Sequence, residues 1–373
     1  MSSTSNVAAI VAASGFLIAF AFGAIAHRTN FCTMGAISDV VNMGHWGRMR
    51  MWLLAIAVAI LGASGLHAAG LIDLSKSIYM RPNLAWLSHV LGGLLFGIGM
   101  TLASGCGNKT LVRVGGGNLK SVVVLVFLAV GAYMTLKGLF AIWRTAWLDP
   151  VAFDFGARGF AGQDLASLAA GAFSADRRVV LMVLAPTLAA GLVAFAFADR
   201  EFRGSRDHVL GGIAVGLLVV AGWYVTGRIG FGENPETLEV GYLGTNSRTI
   251  ESLSFVAPTA FSLELLMLWS DKSLAITFGI AVTAGVVAGS AAYAIASRSF
   301  RWEGFASAED TGRHIVGGIL MGVGGVTALG CTIGQGITGL STLALGSILA
   351  FLSIVAGCWA TLKYEYWRLG RAG

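Results

Sequence analysis

The chain has 373 residues, of which 56% are hydrophobic and only 12% charged, about half the charged share of an ordinary soluble domain. That composition excludes a disordered chain and a conventional water-soluble domain. The net charge of +6 does not point to nucleic acid, because the basic residues stand singly between apolar runs, and the positive-inside bias of a membrane protein leaves the same excess.

A helix needs about 20 predominantly apolar residues to cross the hydrocarbon core. Nine stretches meet that length, at residues 7–26, 50–70, 84–103, 120–143, 178–198, 208–226, 273–297, 312–329 and 342–365. The first has no basic n-region and no cleavage site before polar sequence, so it reads as a retained span and not a signal peptide. Between the spans lie glycine-rich apolar pieces too short to cross, at 30–43, 105–117, 234–268 and 330–341. These are expected to be re-entrant, since irregular backbone at membrane depth is tolerated only inside protein or against a polar cavity. Lys and Arg are more numerous in the connections that face inward when the N-terminus is outside, which favours N-out and C-in. The 52 glycines imply helices packed backbone to backbone.

An internal repeat is visible. His89, Gly92, Gly93, Leu95, Gly97, Gly99, Ala103, Gly105 and Cys106 recur as His314, Gly317, Gly318, Leu320, Gly322, Gly324, Ala328, Gly330 and Cys331, always 225 positions on. A shorter echo, His208-Val-Leu-Gly-Gly, opens the sixth span. The two full copies fall in spans 3 and 8, so alternation gives them opposite directions, and spans 1–4 pair with 6–9 as an inverted repeat of the kind that carries a binding site between its halves. The expected organisation is a first repeat at 1–143, a connecting segment with span 5 at 144–207, and a second repeat at 208–373. The loop bearing Cys32 then has its counterpart near Arg228 to Thr237, where there is no cysteine.

Three of the four cysteines follow one pattern. His27-Arg-Thr-Asn30-Phe-Cys32-Thr-Met-Gly35, Gly105-Cys106-Gly-Asn108-Lys109-Thr and Gly330-Cys331-Thr332-Ile-Gly-Gln335-Gly each end an apolar helix in polar punctuation around a thiol. Each break sets the thiol at the start of a short helix, whose free N–H groups suit an anion. Arg28, Lys109 and Arg113 add full positive charge where an unpaired cation would be costly. Cys358 lies in a purely apolar run and reads as a small core residue. His89, His208 and His314 read as groups at span starts, while His27 beside Arg28 is open to either a packing or a site role. Arg48, Arg50 and Arg200 to Arg206 read as topogenic charges. Glu264, an acid within an apolar piece, is a functional candidate or the neutraliser of an internal arginine such as Arg228. The cysteines lack CxxC spacing, so neither a metal site nor a disulfide framework is expected. No Walker A, HExxH or Ser/His/Asp signature occurs, so no cofactor and no conventional enzyme chemistry is expected either.

At the segments Asn30-Phe-Cys32-x-Met-Gly, Gly105-Cys106-Gly-Asn108-Lys109 and Gly330-Cys331-Thr332-x-Gly-Gln335, the chain resembles the YeeE/YedE family of sulfur transporters, whose characterised members take up thiosulfate. The resemblance extends from about residue 10 to 365. It implies an all-α, hourglass-like protein of the bacterial inner membrane with nine spans and short buried helices. Cys32, Cys106 and Cys331 would line the permeation path as relay thiols, supported by His27, Arg28, Asn30, Asn108, Lys109, Arg113, Thr332 and Gln335, with Arg228 and Glu264 more remote. It also implies a small cytoplasmic sulfurtransferase of the TusA type as partner. Two other readings stay open: transport of sulfite, sulfide, persulfide or a selenium compound, and a membrane thiol redox protein. The charged segment 144–178 is a departure whose role the resemblance does not supply.

Overall fold

The computed structural model describes residues 3–233, 240–305 and 307–372. The helices α1 (Ser3–Thr29), α2 (Thr33–Met43), α3 (Gly47–Ala68), α4 (Trp86–Leu102), α5 (Gly107–Gly115) and α6 (Leu119–Leu136) come first. The middle holds α7 (Leu139–Trp143), α8 (Leu165–Phe173), α9 (Arg177–Phe197) and α10 (Arg200–Gly204). Then follow α11 (Arg206–Tyr224), α12 (Val256–Met267), α13 (Phe278–Ala296), α14 (Ala308–Thr327) and α15 (Leu345–Ala372). Strand pairing among the described residues amounts to two short ladders, β1 (Asn83–Leu84) with β2 (Phe153–Asp154), and β3 (Phe231–Glu233) with β4 (Val240–Tyr242), beside isolated bridges such as Asp164 with Ala344. Eight helical stretches among the described residues are long and apolar enough to cross a bilayer. This is an all-α, multi-pass membrane protein.

The eighth expected span, 312–329, is helical as α14, but Glu309, Asp310 and Arg313 lower the apolarity of its first turns, and it is the one expected span outside the eight. Those charges are paired: Lys120 Nζ meets Asp310 at 2.9 Å, and Arg313 meets Glu365. Beyond His314 the helix is buried against α4 and α6.

Helix packing follows the repeat. α1 lies along α13 and α3 along α11; α4 lies along α15 and α6 along α14; α4 crosses α14, and α1 meets α11. Exchanging α1, α3, α4 and α6 for α11, α13, α14 and α15 in that order maps this set of contacts onto itself. The glycines make such approaches feasible. A Cβ built on Gly92 would stand 2.8 Å from the Gly324 carbonyl oxygen, and one on Gly324 would stand 2.6 Å from that of Gly92. Gly99 and Gly317 are in the same relation, each 2.7 Å from the other's oxygen. The second pair of glycines per copy serves the flanking contact: Gly93 and Gly97 face α15, whereas Gly318 and Gly322 face α6. Even the histidines match, since His89 and His314 each place Nδ1 2.7 Å from the carbonyl oxygen four residues back.

The counterpart of the Cys32 loop is displaced from the expected position. Residues 228–233 form the exposed end of the α11 segment and β3, while 234–239 lie outside the described residues. The element that packs as α2 does is α12: α2 contacts α3 and α15, and α12 contacts α13 and α6. The β3–β4 hairpin is inserted before it, which moves the equivalent break down the chain to Ser252–Phe255.

Segment 144–178 has a tertiary role. Its β2 pairs with β1 ahead of α4. Its residues 163–165 run beside 343–345, with Leu165 N–H donating to Leu343 O at 3.0 Å and Leu345 N–H to Gln163 O at 3.1 Å. Buried Asp164 caps α8 and pairs with Arg177 at 3.3 Å. The segment thus ties the approach to α4 to the linker that leaves the Cys331 helix.

Candidate functional site

All three cysteine breaks use the same backbone device. The residue two before each cysteine, Asn30, Ser104 or Leu329, has a left-handed φ of 53°, 56° or 59° respectively. The residue just before each cysteine then donates its N–H to the carbonyl five positions back: Phe31 to Ala26, Gly105 to Met100, and Gly330 to Gly325. This is the Schellman closure of a helix, which turns the chain out of its axis. None of the three left-handed residues is glycine, so each turn carries a strain of about 1–2 kcal/mol that the surrounding packing must offset. After each turn the chain re-enters a helix at once, as α2, α5, or a wide-turned helix from Thr332 to Thr342.

Cys32 and Cys106 are brought together. Their sulfurs are 3.7 Å apart although 74 residues separate them. Asn108, wholly buried, donates Nδ2–H to the Phe31 carbonyl at 3.1 Å. Its Oδ1 therefore faces Cys106, which donates S–H to it at 2.8 Å. With that proton committed, Cys32 is the donor in the thiol–thiol contact, and Cys32 Sγ in turn accepts from Gly35 N–H at 3.4 Å. The result is a polarised chain of donors running from the first turn of α2 through two thiols to an amide. Oxidation by diamide should link Cys32 to Cys106 and leave Cys358 reduced, as read by mass spectrometry of the alkylated peptides. Recovery of both Cys32 and Cys106 as free thiols would contradict the contact.

Cys331 heads the third short helix on the other side of the α4–α14 crossing. Its sulfur accepts from Gly334 N–H at 3.4 Å, the same cap that Gly35 provides for Cys32. Gln335 donates through Nε2 to the Ala328 carbonyl and so clasps the end of α14. The Gln335 Oε1, Thr332 Oγ1 and Thr33 Oγ1 atoms are buried without a hydrogen-bond partner. A buried polar atom left so costs about 1–3 kcal/mol. Two of them, Thr33 and Thr332, directly follow Cys32 and Cys331. Ser254, in the break before α12, lies beside the first turn of the Cys331 helix: its Oγ is 2.7 Å from where a Gly334 Cβ would stand, and Tyr79 Oη is 3.6 Å from the same point. Burial pushes the Tyr79 hydroxyl further above its ordinary range, so it stays a proton donor at physiological pH.

Between the two sides the interior is filled by apolar side chains. Val256, fully buried, lies against Gly325 and within 3.9 Å of a Cβ on Gly107. Phe22 packs on Phe31 and Phe255 with ring centres 6.4 and 5.4 Å away, and Phe31 stacks on Trp52 at 4.8 Å. Cys106 and Cys331 are both 0% exposed.

A vestibule of about 900 Å³ opens onto Cys32. Arg28, Asn30, Lys109 and Arg113, all expected from the sequence, line it. Lys109 Nζ donates to Asn30 Oδ1 at 2.7 Å, Arg113 reaches the Ser104 carbonyl at 2.8 Å, and Arg28 pairs with Asp207 at 2.9 Å on the rim. His27 is set apart, between Ser290 at 2.9 Å and Ser299 at 3.2 Å, in a side pocket that shares Asn30, Lys109 and Arg113. On the opposite side a smaller, mostly apolar cavity of about 200 Å³ reaches Tyr79, Ser254 and Gly330. Arg228 is exposed and lines none of these cavities. Glu264 is not its partner; the carboxylate meets Lys137 Nζ at 2.6 Å.

Sequence reasoning read Arg48 as a topogenic charge and passed over Asp39, whereas the two form an ion pair on the vestibule wall. The signal was present: Asp39 is a lone acid inside a re-entrant apolar piece and so demands a cation. It also passed over Ser254 and Tyr79, which carry no pattern of their own.

Known proteins resemble this chain over nearly its whole length. It is 26% identical over 368 residues to the thiosulfate transporter TsuA of Escherichia coli (strain K12), covering 95% of each chain. It is 25% identical over 358 residues to the thiosulfate transporter TsuA of Spirochaeta thermophila, covering 93% of this chain and 96% of that one. The sulphur transport family matches residues 28–360, from just ahead of Cys32 to beyond Cys358. With its three polar breaks and all four cysteines inside that match, the chain belongs to the sulphur transport family.

Proposed function

We propose that this protein is a permease for thiosulfate uptake across a bacterial inner membrane, passing the anion along Cys331, Cys106 and Cys32. The observation that carries the reading is the contact of two buried thiols, one of which forms the floor of a basic vestibule. Thiosulfate is a dianion with one soft terminal sulfur. A neutral thiol offers that sulfur a weak S–H donor and a polarisable contact without the deep trap that a ring of cations would make, and conduction needs binding weak enough to release. The lone hydroxyls of Thr33 and Thr332 supply donors for the oxygens as the anion passes each thiol. Both relatives carry the name of thiosulfate transporter, which supports the substrate assignment.

With the N-terminus outside, the basic vestibule faces the cytoplasm and the narrow cavity at Tyr79 faces outward. The halves 1–143 and 208–373 act as the two repeats, with 144–207 as the connector. Moving two negative charges into a negative-inside cell costs about 4.6 kcal/mol per 100 mV, so net accumulation requires an ion partner or a chemical sink. A TusA-like sulfurtransferase docked at the vestibule would supply the sink by consuming the sulfur. The thiol contact also favours a second reading, a membrane redox protein or persulfide carrier, which a trapped mixed disulfide or persulfide during turnover would support.

Proteoliposomes holding the purified protein are expected to take up sulfur-labelled thiosulfate saturably, with the rate rising when the interior is made positive. Sulfite, sulfide and selenium analogues compete weakly if thiosulfate is the cargo. Absence of saturable uptake, with and without an enclosed sulfurtransferase and an imposed potential, would refute the assignment.

A further inference from the structure

Beside Cys32 stands a charge pair that the relay leaves unused. Asp39 lies on α2 two turns beyond the Cys32 cap, with its side chain 7% exposed, and Arg48 lies in the first turn of α3. Arg48 Nε and Nη2 grip the two carboxylate oxygens of Asp39. This fork occupies two of the three guanidinium nitrogens and fixes the plane of the third. Nη1 lies over the first turn of α2, where a Cβ on Gly35 would stand 2.3 Å from it. Gly35 is the residue whose N–H donates to Cys32 Sγ. Any larger side chain at position 35 would thus displace the guanidinium. Arg48, Asp39, Cys32 and Lys109 all line the same vestibule.

Thiosulfate has two chemically different ends, three hard oxygens and one soft sulfur. A thiol addresses the sulfur end, and a planar guanidinium addresses the oxygens. We propose that Arg48 is the oxyanion-binding group of the vestibule, holding the oxygen end of the substrate through Nη1 while its sulfur end faces Cys32, and that Asp39 tempers Arg48 so that the anion is released. The division of labour gives a basis for selectivity: sulfate satisfies the arginine but offers nothing to the thiol, and sulfide does the reverse. An arginine without its carboxylate would hold a dianion too long, since flux depends on leaving as well as on binding. The role of the acid is therefore opposite in sign to that of the base. This inference rests on the thiosulfate reading and deepens it.

The test is the KM and Vmax of thiosulfate uptake in proteoliposomes carrying the wild-type protein, R48Q, R48K or D39N, at equal amounts of folded protein. R48Q is expected to raise KM about tenfold with Vmax changed less than threefold, and R48K to recover part of the loss. D39N is expected to move the other way, lowering KM several-fold and lowering Vmax with it. A pair that only clamps α2 to α3 predicts the same sign for both partners, with R48Q and D39N losing folded protein or Vmax together and leaving KM in place; that result overturns the proposal. Saturable wild-type uptake with an unaltered KM in R48Q also overturns it while leaving the thiosulfate reading intact. Wild-type protein that takes up no thiosulfate removes both.

Discussion

Cys106→Ala is expected to lower thiosulfate uptake about 100-fold, measured with sulfur-labelled substrate in proteoliposomes and normalised to reconstituted protein. The size follows from the position of the thiol. Cys106 is completely buried, it is the acceptor for Cys32 and the donor to Asn108, and Val256 packs within 3.9 Å of the Cβ position of Gly107, the next residue. Removing it takes away a polar contact for the dianion on the proposed route and leaves Asn108 Oδ1 unpaired. A charge-assisted hydrogen bond of this kind contributes about 1.5–3 kcal/mol, and about 3 kcal/mol in a barrier is roughly two powers of ten in rate. Cys106→Ser should fall between, since a hydroxyl still bonds Asn108 but is a harder partner for sulfur. Cys358→Ala is the control, because that thiol accepts from Thr101 at 3.3 Å in the α4–α15 contact, away from both cavities. Uptake by Cys106→Ala within twofold of the wild type would remove the thiol from the path.

Gly289→Ala is expected to deplete folded protein, whereas Gly191→Ala should be tolerated. The methyl on residue 289 would stand 1.9 Å from the Phe20 carbonyl oxygen, with backbone on both sides of the α1–α13 contact and no flexible side chain to yield. Gly23, opposite, is equally tight, its Cβ position 2.2 Å from the Val286 oxygen. Overpacking of this kind typically costs about 1–3 kcal/mol, occasionally more, and here the axes must separate along their length. Gly191, in α9, meets nothing within 4 Å, so alanine there adds only helix propensity, up to about 1 kcal/mol in favour. Thermal unfolding in detergent, followed by size-exclusion chromatography, separates the two: the Gly289 variant should melt several degrees lower and elute partly aggregated, and the Gly191 variant should not. Equal melting of both would mean that α1 and α13 can part without penalty.

These effects also mark the boundary between local and long-range information. The lengths of the apolar runs, the polar breaks at Cys32, Cys106 and Cys331, and the recurrence of glycines 225 positions apart are written in stretches of ten to twenty residues. Span assignment and the re-entrant helices followed from them because hydrogen bonding in lipid must be satisfied within each segment. What the glycines of the repeat touch was not written locally. Gly92 and Gly324 could be assigned to close packing, but their mutual approach required both copies in place. The same holds for the offset of the second re-entrant helix, where the β3–β4 hairpin disturbed the count.

By itself, then, the sequence determined the class of molecule, its repeat and the three thiol-bearing breaks, because hydrophobic length and backbone punctuation act over short range. Tertiary structure alone decided that Cys32 touches Cys106 across 74 residues, that Glu264 answers to Lys137 across 127 and not to Arg228, that Ser254 lies against the Cys331 helix, and that Arg48 lines the vestibule. The physical reason is that a thiol or an isolated charge has no periodicity. Its partner is chosen by whichever helices the glycines allow to meet, and that choice is made only once the helices are packed.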